Sequence, residues 1–339
     1  MSVFVESTSY RPFVYPWAVE AARVHAIDMH WDVHQADLTD DKQQYFSTSG
    51  LGTNQVPHEN HKWLLDKTLS MFTEMDRTVG EGYTKLLPYI KNNEIRNWLI
   101  TAASREVVHQ RAYALAAEEF GFTDGDWKAF ASYKEMRDKL EVMGENRIDA
   151  SWSEPLQAAC ILAQLLTGEG VGLFGAFTVL LNMKRCGKLI GFNDINQWSL
   201  ADETDHVEKN IRVLKAMRKD LTPEENAILD QEIRYLIEDY REAEVKYLVL
   251  AFEKGPQHDL TFEQTVEYID YLCRLRLFEC ELLKEHQVGE NPLPWMEWMI
   301  NAARHDNFFE KKVTDYSHSK LSGDVDYSKY NFMLTSRSG

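Results

Sequence analysis

Two short runs in this chain have the residue types and the spacing to grip a metal ion. Glu106-Val107-Val108-His109 and Glu203-Thr204-Asp205-His206 each set a carboxylate and an imidazole three residues apart. In a helix, positions i and i+3 share a face, so each pair presents an oxygen donor beside a nitrogen donor. One such pair is a weak signal, because helices carry many glutamates. The repeat strengthens it, and so does what lies upstream. Asp76 stands 30 residues before Glu106, and Glu169 stands 34 residues before Glu203. Either interval fits one helix, one connection and an antiparallel partner. Two lone carboxylates and two Glu-x-x-His pairs on four helices are the ligand set of a carboxylate-bridged dinuclear centre. Tyr113, at i+7 from Glu106, shares that face and sets a phenol beside the centre.

The elements that must position these residues read as helices. Asn60 to about Val79 carries Trp63, Leu64, Leu69, Met71, Phe72 and Met75 at helical spacing. Glu74 and Asp76 both fall near its end; Asp76 is preferred, with Glu74 as the fallback. Asn93 to Glu119 holds the first pair, and Phe192 to Met217 the second. Glu154 to Cys186 is expected as one long apolar helix, with Gly168, Gly170, Gly172 and Gly175 around Glu169. Glycine costs roughly 1 kcal/mol in a helix interior, so this cluster implies tight packing or a distorted turn beside a site. An acid in so apolar a run is costly unless it is paired or bound to metal.

Trp17–Gln35 is expected to be helical in whole or in part, and further helices are expected over Asp126–Val142, Leu221–Lys254, Thr261–Gln287 and Met296–Arg304. Thr222 and Pro223 mark one start and Thr261 another. His30 and His34, at i and i+4, form a further but weaker metal pair. The reading is one all-α domain over residues 1–313 and a polar, flexible tail over 314–339.

Composition narrows the class. A net charge of −17 argues against nucleic-acid binding. Cys160, Cys186, Cys273 and Cys280 form no Cys-x-x-Cys and no disulfide framework, which points to reduced thiols and a cytoplasmic setting. The N-terminus lacks the basic start and apolar run of a signal peptide. Leu156 to Leu181 is the most apolar stretch, but Gln164, Glu169 and the glycines interrupt it, so it reads as a buried core helix.

Taken together, these residues resemble the small, radical-bearing subunit of class I ribonucleotide reductase, in a style nearest to versions carried by bacterial viruses. The likeness rests on Asp76 followed by Gly80, on Glu106-x-x-His109-x-x-x-Tyr113, on Glu169 and on Asp202-Glu203-x-x-His206. Asn291-Pro-Leu-Pro-Trp295 and the run from Asn307 to Tyr316 extend it.

The resemblance implies a ferritin-like bundle. Asp76, Glu106 and His109 would bind one metal and Glu169, Glu203 and His206 the other, with Glu106 and a second-half glutamate bridging. Two irons are the first expectation, with two manganese ions or a mixed pair as the others. Tyr113 would be the stored radical, with Phe174 and Phe177 as candidates for its apolar pocket. His109, Asp202 and Trp31 would begin a radical relay, and Tyr327 or Tyr330 would continue it in the tail. The implied partners are a second copy, the reductase large subunit, and an activase flavoprotein or ferredoxin-type reductant. For a viral chain the setting would be the host cytoplasm. Two other readings keep the ligands: a dimetal oxidase or monooxygenase acting directly on a small substrate, and iron storage in a ferritin-like cage. The chain is about twice as long as storage needs, and storage has no use for Tyr113.

Overall fold

The computed structural model describes residues 2–7, 13–123, 125–126 and 132–302. Tyr327, Tyr330 and the run from Asn307 to Tyr316 lie outside the described residues, as does the expected tail boundary at 313.

Ten helices organise the described chain: α1 (Pro16–Arg23), α2 (Thr39–Phe46), α3 (His58–Leu86), α4 (Asn93–Glu119) and α5 (Lys134–Gly144) in the first half, then α6 (Glu154–Gly170), α7 (Phe174–Arg185), α8 (Ile190–Met217), α9 (Pro223–Ala251) and α10 (Phe262–Glu279). A further helical stretch covers 294–302. Among the described residues there is no β-sheet, only an isolated bridge between Gln257 and Leu260. This is an all-α, ferritin-like bundle.

The helix starts are encoded locally. Asn92 Oδ1 accepts from the backbone N–H of Glu94 and Ile95 at the head of α4, each at 3.0 Å. Ser153 caps α6 with Pro155 in its first turn. Thr222 and Thr261 form reciprocal capping boxes with Glu225 and Gln264. Such caps satisfy N–H groups that the first turn of a helix leaves open.

Four helices make the centre. α3 packs along α4, α6 packs along α8, and α3–α6 and α4–α8 contacts close the ring. The helix partners inferred from the 30- and 34-residue intervals are thus packed against each other. α9 covers α6, and α1 lies across α4.

Three expected helices differ. The long apolar helix breaks: α6 stops at Gly170, and α7 begins at Phe174 after a turn. The glycines explain the break by close approach. A Cβ at Gly172 would meet the Tyr240 ring at 2.7 Å, and one at Gly175 would meet Glu244 Oε2 at 2.2 Å. The Glu154–Arg185 segment has the length and mean hydropathy (1.5) of a membrane span, but 89% of its most apolar window is buried in the bundle. Second, the helix expected over Asp126–Val142 is not continuous: Ser132 and Tyr133 are non-helical, and α5 starts at Lys134. Trp17–Gln35 is helical in part, as expected. α1 ends at Arg23 and runs into a π-helical turn, Val24–Asp28. Third, α10 ends at Glu279, where Glu281 takes a left-handed conformation with φ 66°.

Candidate metal centre

Each of the four central helices delivers its acid to one buried point. Asp76 comes from α3, Glu106 and His109 from α4, Glu169 from α6, and Glu203 and His206 from α8, and all six are buried. Glu74 turns outward to pair with Arg77 at 2.9 Å, so Asp76 is the residue that faces the centre. The donor atoms fall into two groups, each within 4.8 Å: Asp76, Glu106, His109 and Glu203, then Glu106, Glu169, Glu203 and His206. Glu106 and Glu203 belong to both. His206 Nδ1 sits 3.3 Å from Glu203 Oε2, 3.4 Å from Glu106 Oε1 and 3.5 Å from Glu169 Oε1. His109 Nδ1 sits 3.1 Å from Glu203 Oε1 and 3.6 Å from Glu106 Oε2.

The cluster fits cations. Asp76 Oδ2, both carboxylate oxygens of Glu106 and His109 Nδ1 are buried without a hydrogen-bond partner. Such atoms cost about 1–3 kcal/mol each when left unmatched, and a dinuclear pair would engage all of them. The electrostatics agree. Burial, aided by the charge of Glu203, pushes Glu106 up to about 7. Burial also raises Asp76 well above the carboxylate range. On Glu203 burial acts upward, but the adjacent His109 and His206 imidazoles outweigh it and hold the group down to about 2. Both imidazoles are raised, because their carboxylate partners overcome the burial that opposes their charge.

Tyr113 is fully buried on the same face of α4. Its hydroxyl donates to Asn196 Oδ1 at 3.0 Å, and its ring stacks on Phe72 with centroids 4.5 Å apart. Phe192 meets it edge-on at 6.3 Å. The pocket is therefore built by Phe72 and Phe192. Phe177 packs behind Phe72, and Phe174 packs on Phe177, so neither forms the ring's own stacking wall.

Outward from His109, Nε2 lies 3.1 Å from Asp202 Oδ2. The same oxygen accepts Trp31 Nε1–H at 2.8 Å and the Arg105 guanidinium at 2.8 and 3.1 Å. Trp31 stacks near-parallel to the His109 ring, 14° between planes. Burial opposes the Asp202 charge, but Arg105 and the His109 hydrogen bond hold the carboxyl far below its ordinary range.

With this geometry in place, the comparisons decide the family. Residues 7–292 match the family described as ribonucleotide reductase, small chain. This chain belongs to that family. It is the small subunit of a ribonucleoside-diphosphate reductase, an oxidoreductase whose ferritin-like dimetal site suits radical-generating chemistry.

The small chain is 28% identical to a probable ribonucleoside-diphosphate reductase small subunit of Invertebrate iridescent virus 3, over 96% of this chain and 88% of that one. It is 25% identical to the ribonucleoside-diphosphate reductase subunit beta of Chlamydia pneumoniae, over 76% and 77%. In fold it matches the ribonucleotide reductase R2 subunit from Clostridium botulinum, with TM-score 0.73 and 17% identity over 87% and 91% of the two chains. It also matches the Rnr4 homodimer structure from Saccharomyces cerevisiae, with TM-score 0.69 and 16% identity over 93% and 92%.

The small chain carries site residues that sequence reasoning missed. Arg105 is buried although it sits beside an acid in a charged-looking run. Tyr83 donates to Glu169 Oε1 at 2.8 Å, and Asn210 Nδ2 donates to the Tyr83 hydroxyl at 2.8 Å. His25 touches His206, with 2.9 Å between their Nε2 atoms. His30 and His34 do not form a pair: His30 lies beside Arg105 and the exposed His34 beside Arg111. A cavity of about 560 Å³ opens between α3, α6 and α9, lined by Gly82, Leu165, Gly168 and Tyr240 among others. None of the six candidate ligands lines it.

Proposed function

We propose that Asp76, Glu106 and His109 would hold one metal ion and Glu169, Glu203 and His206 the other, with Glu106 and a second-half glutamate shared between them; Glu203, which belongs to both donor groups, is the candidate. Tyr113 is the radical site. The observation that carries this reading is the buried Tyr113, boxed by Phe72 and Phe192 on the helix that supplies Glu106 and His109. A bound dinuclear metal pair supplies dioxygen activation and the oxidising power to take one electron and one proton from a phenol. Burial, with the charge of Asp76, lifts the Tyr113 hydroxyl well above its ordinary range, which keeps the phenol protonated. Phe72 and Phe192 keep water from the ring. Oxygen and imidazole donors suit iron or manganese; we assign iron at both positions, with two manganese ions or a mixed pair as the competing loadings.

Trp31, Asp202 and His109 then carry the radical outward, and Tyr327 or Tyr330 passes it on in the tail. The receiver is the reductase large subunit, which turns ribonucleotides into the deoxyribonucleotides that DNA replication uses. The working form is a homodimer in the cytoplasm, or the host cytoplasm for a viral chain. An activase flavoprotein or ferredoxin-type reductant supplies electrons for assembly.

The test is to load anaerobic apo-protein with ferrous iron, admit oxygen and record X-band spectra of wild type and Tyr113→Phe. A tyrosyl doublet absent from the variant supports the reading. Two bound irons with oxygen uptake and no radical move the assignment to manganese loading. Less than one metal per chain under either loading sinks the dinuclear site.

A further inference from the structure

The two candidate metal-ligand histidines are held from behind in different ways. Behind His109 stands the carboxylate of Asp202, fixed by Arg105 and Trp31. Behind His206 stands a second imidazole, His25, fully buried, with 2.9 Å between the two Nε2 atoms and 4.8 Å between ring centroids.

The contact sets the tautomers. His206 Nδ1 converges with carboxylate oxygens of Glu106, Glu169 and Glu203, so Nδ1 is the ligand atom and offers its lone pair there. Its proton must then sit on Nε2. Two ring nitrogens 2.9 Å apart need one donor and one acceptor. His25 Nε2 is therefore the acceptor, and His25 keeps its own proton on Nδ1, which faces Asp205 Oδ2 at 3.5 Å. Asp205 is itself held by Lys209 at 3.0 Å.

The placement of His25 is built. It lies in the π-helical turn Val24–Asp28 that follows α1, and the edge of Trp98 meets both imidazoles, at 5.6 Å for His25 and 6.0 Å for His206.

We propose that His25 is a positioning residue for the second metal position. It accepts the Nε2–H of His206 and so fixes that ring with Nδ1 turned to the ion shared with Glu106, Glu169 and Glu203. This rests on the dinuclear reading above. The partner of a ligand histidine orients the ring and tunes its basicity, and losing it weakens metal binding by about 10–100-fold. The loss here should fall on one ion only, because His109 keeps its own partner in Asp202.

The test compares wild type, His25→Leu, His25→Phe and His25→Gln, each loaded anaerobically with Mn(II). Bound metal is counted by elemental analysis, and the spin spectrum separates a coupled pair from a single six-line ion. Wild type should hold two coupled ions. The Leu and Phe variants should hold one ion tightly, show the isolated spectrum, and bind the second about 10–100-fold more weakly. The Gln variant, whose amide oxygen can accept from His206, should restore the coupled pair. Thermal melts establish that each variant folds. Wild type binding fewer than two ions would overturn the dinuclear reading instead. Two ions with unchanged affinity in Leu and Phe would overturn the role of His25. So would loss of the second ion in Gln, or failure of all three variants to fold, since His25 would then serve the fold rather than the ion.

Discussion

Trp31 and Asp202, 171 residues apart, are joined by a 2.8 Å hydrogen bond from the indole Nε1 to the carboxylate Oδ2. Both are buried, and the same oxygen faces His109 Nε2. Trp31→Phe keeps the ring over His109 and deletes the donor. Arg105 and His109 still hold Asp202, so the loss should be about 2 kcal/mol of stability, that of one hydrogen bond to a charge. If Trp31 carries the radical outward, two bound metals and the Tyr113 signal should survive. Turnover with the large subunit should then fall by about 100-fold or more, as for a broken alignment of reacting groups. Paired spin quantitation and turnover assays check this; turnover near wild type would remove Trp31 from the relay.

Glu106 is the residue whose two carboxylate oxygens both lack hydrogen-bond partners, and it faces both halves of the cluster. Glu106→Gln keeps the shape and removes one ionisable group from a set of four crowded carboxyls. The metal-free variant should melt higher than the metal-free wild type. Wild type should gain about 2.7 kcal/mol when metal stands at one hundred times its dissociation constant, and the variant should gain much less. Melting curves with chelator and with added Mn(II) give both numbers. An equal metal-induced rise in the two proteins would mean that Glu106 does not hold the ion.

What could be read from the chain follows from where helical periodicity holds. Glu106 with His109 and Glu203 with His206 lie inside unbroken helical runs, so spacing alone put each pair on a shared face; Asp76 is preferred to Glu74 partly on likeness to a family, and Glu169 stands one residue before the end of α6. Residue spacing could not pair Trp31 with Asp202; that came only from likeness to a family. His25 was missed because its turn is π-helical, and a 3.6-residue period fails there. Arg105 was missed because an arginine beside a glutamate reads as surface, whereas the Asp202 charge is what holds it inside. Phe72 was placed in the core, but its stacking on Tyr113 depends on how α3 lies against α4, which no single helix encodes.

Lys139 and Glu244 form a fully buried ion pair between α5 and α9, and Glu244 also accepts the Gly175 N–H at 3.0 Å. Burial lowers the lysine and raises the glutamate, each opposed by its partner. Lys139→Met leaves a buried carboxylate alone and should cost about 3–5 kcal/mol. Lys139→Met with Glu244→Gln removes both charges and keeps an acceptor for Gly175, so it should recover most of that loss. Urea midpoints at constant slope measure both. A double variant no more stable than the single one would show that the pair stabilises through its charges.

Asp41 sits under the first turn of α8, where its Oδ2 accepts the Phe192 N–H. Burial, outweighing the Phe192 and Gly191 hydrogen bonds, pushes its carboxyl up to about 6. The folded value lies above the unfolded one, so the protonated form favours the fold. That contribution is fully present below about pH 4 and is lost as pH rises through 6. Asp41→Asn keeps an oxygen acceptor and never ionises. Measured in chelator, the stability of the variant minus that of wild type should rise by about 1–2 kcal/mol between pH 4.5 and 7.5, the full shift being discounted for solvent screening. Taking the difference cancels every other group that titrates alike in both proteins. Parallel stability curves across that range would place Asp41 at an ordinary value, and the helix N-terminus would then be stabilising its charge.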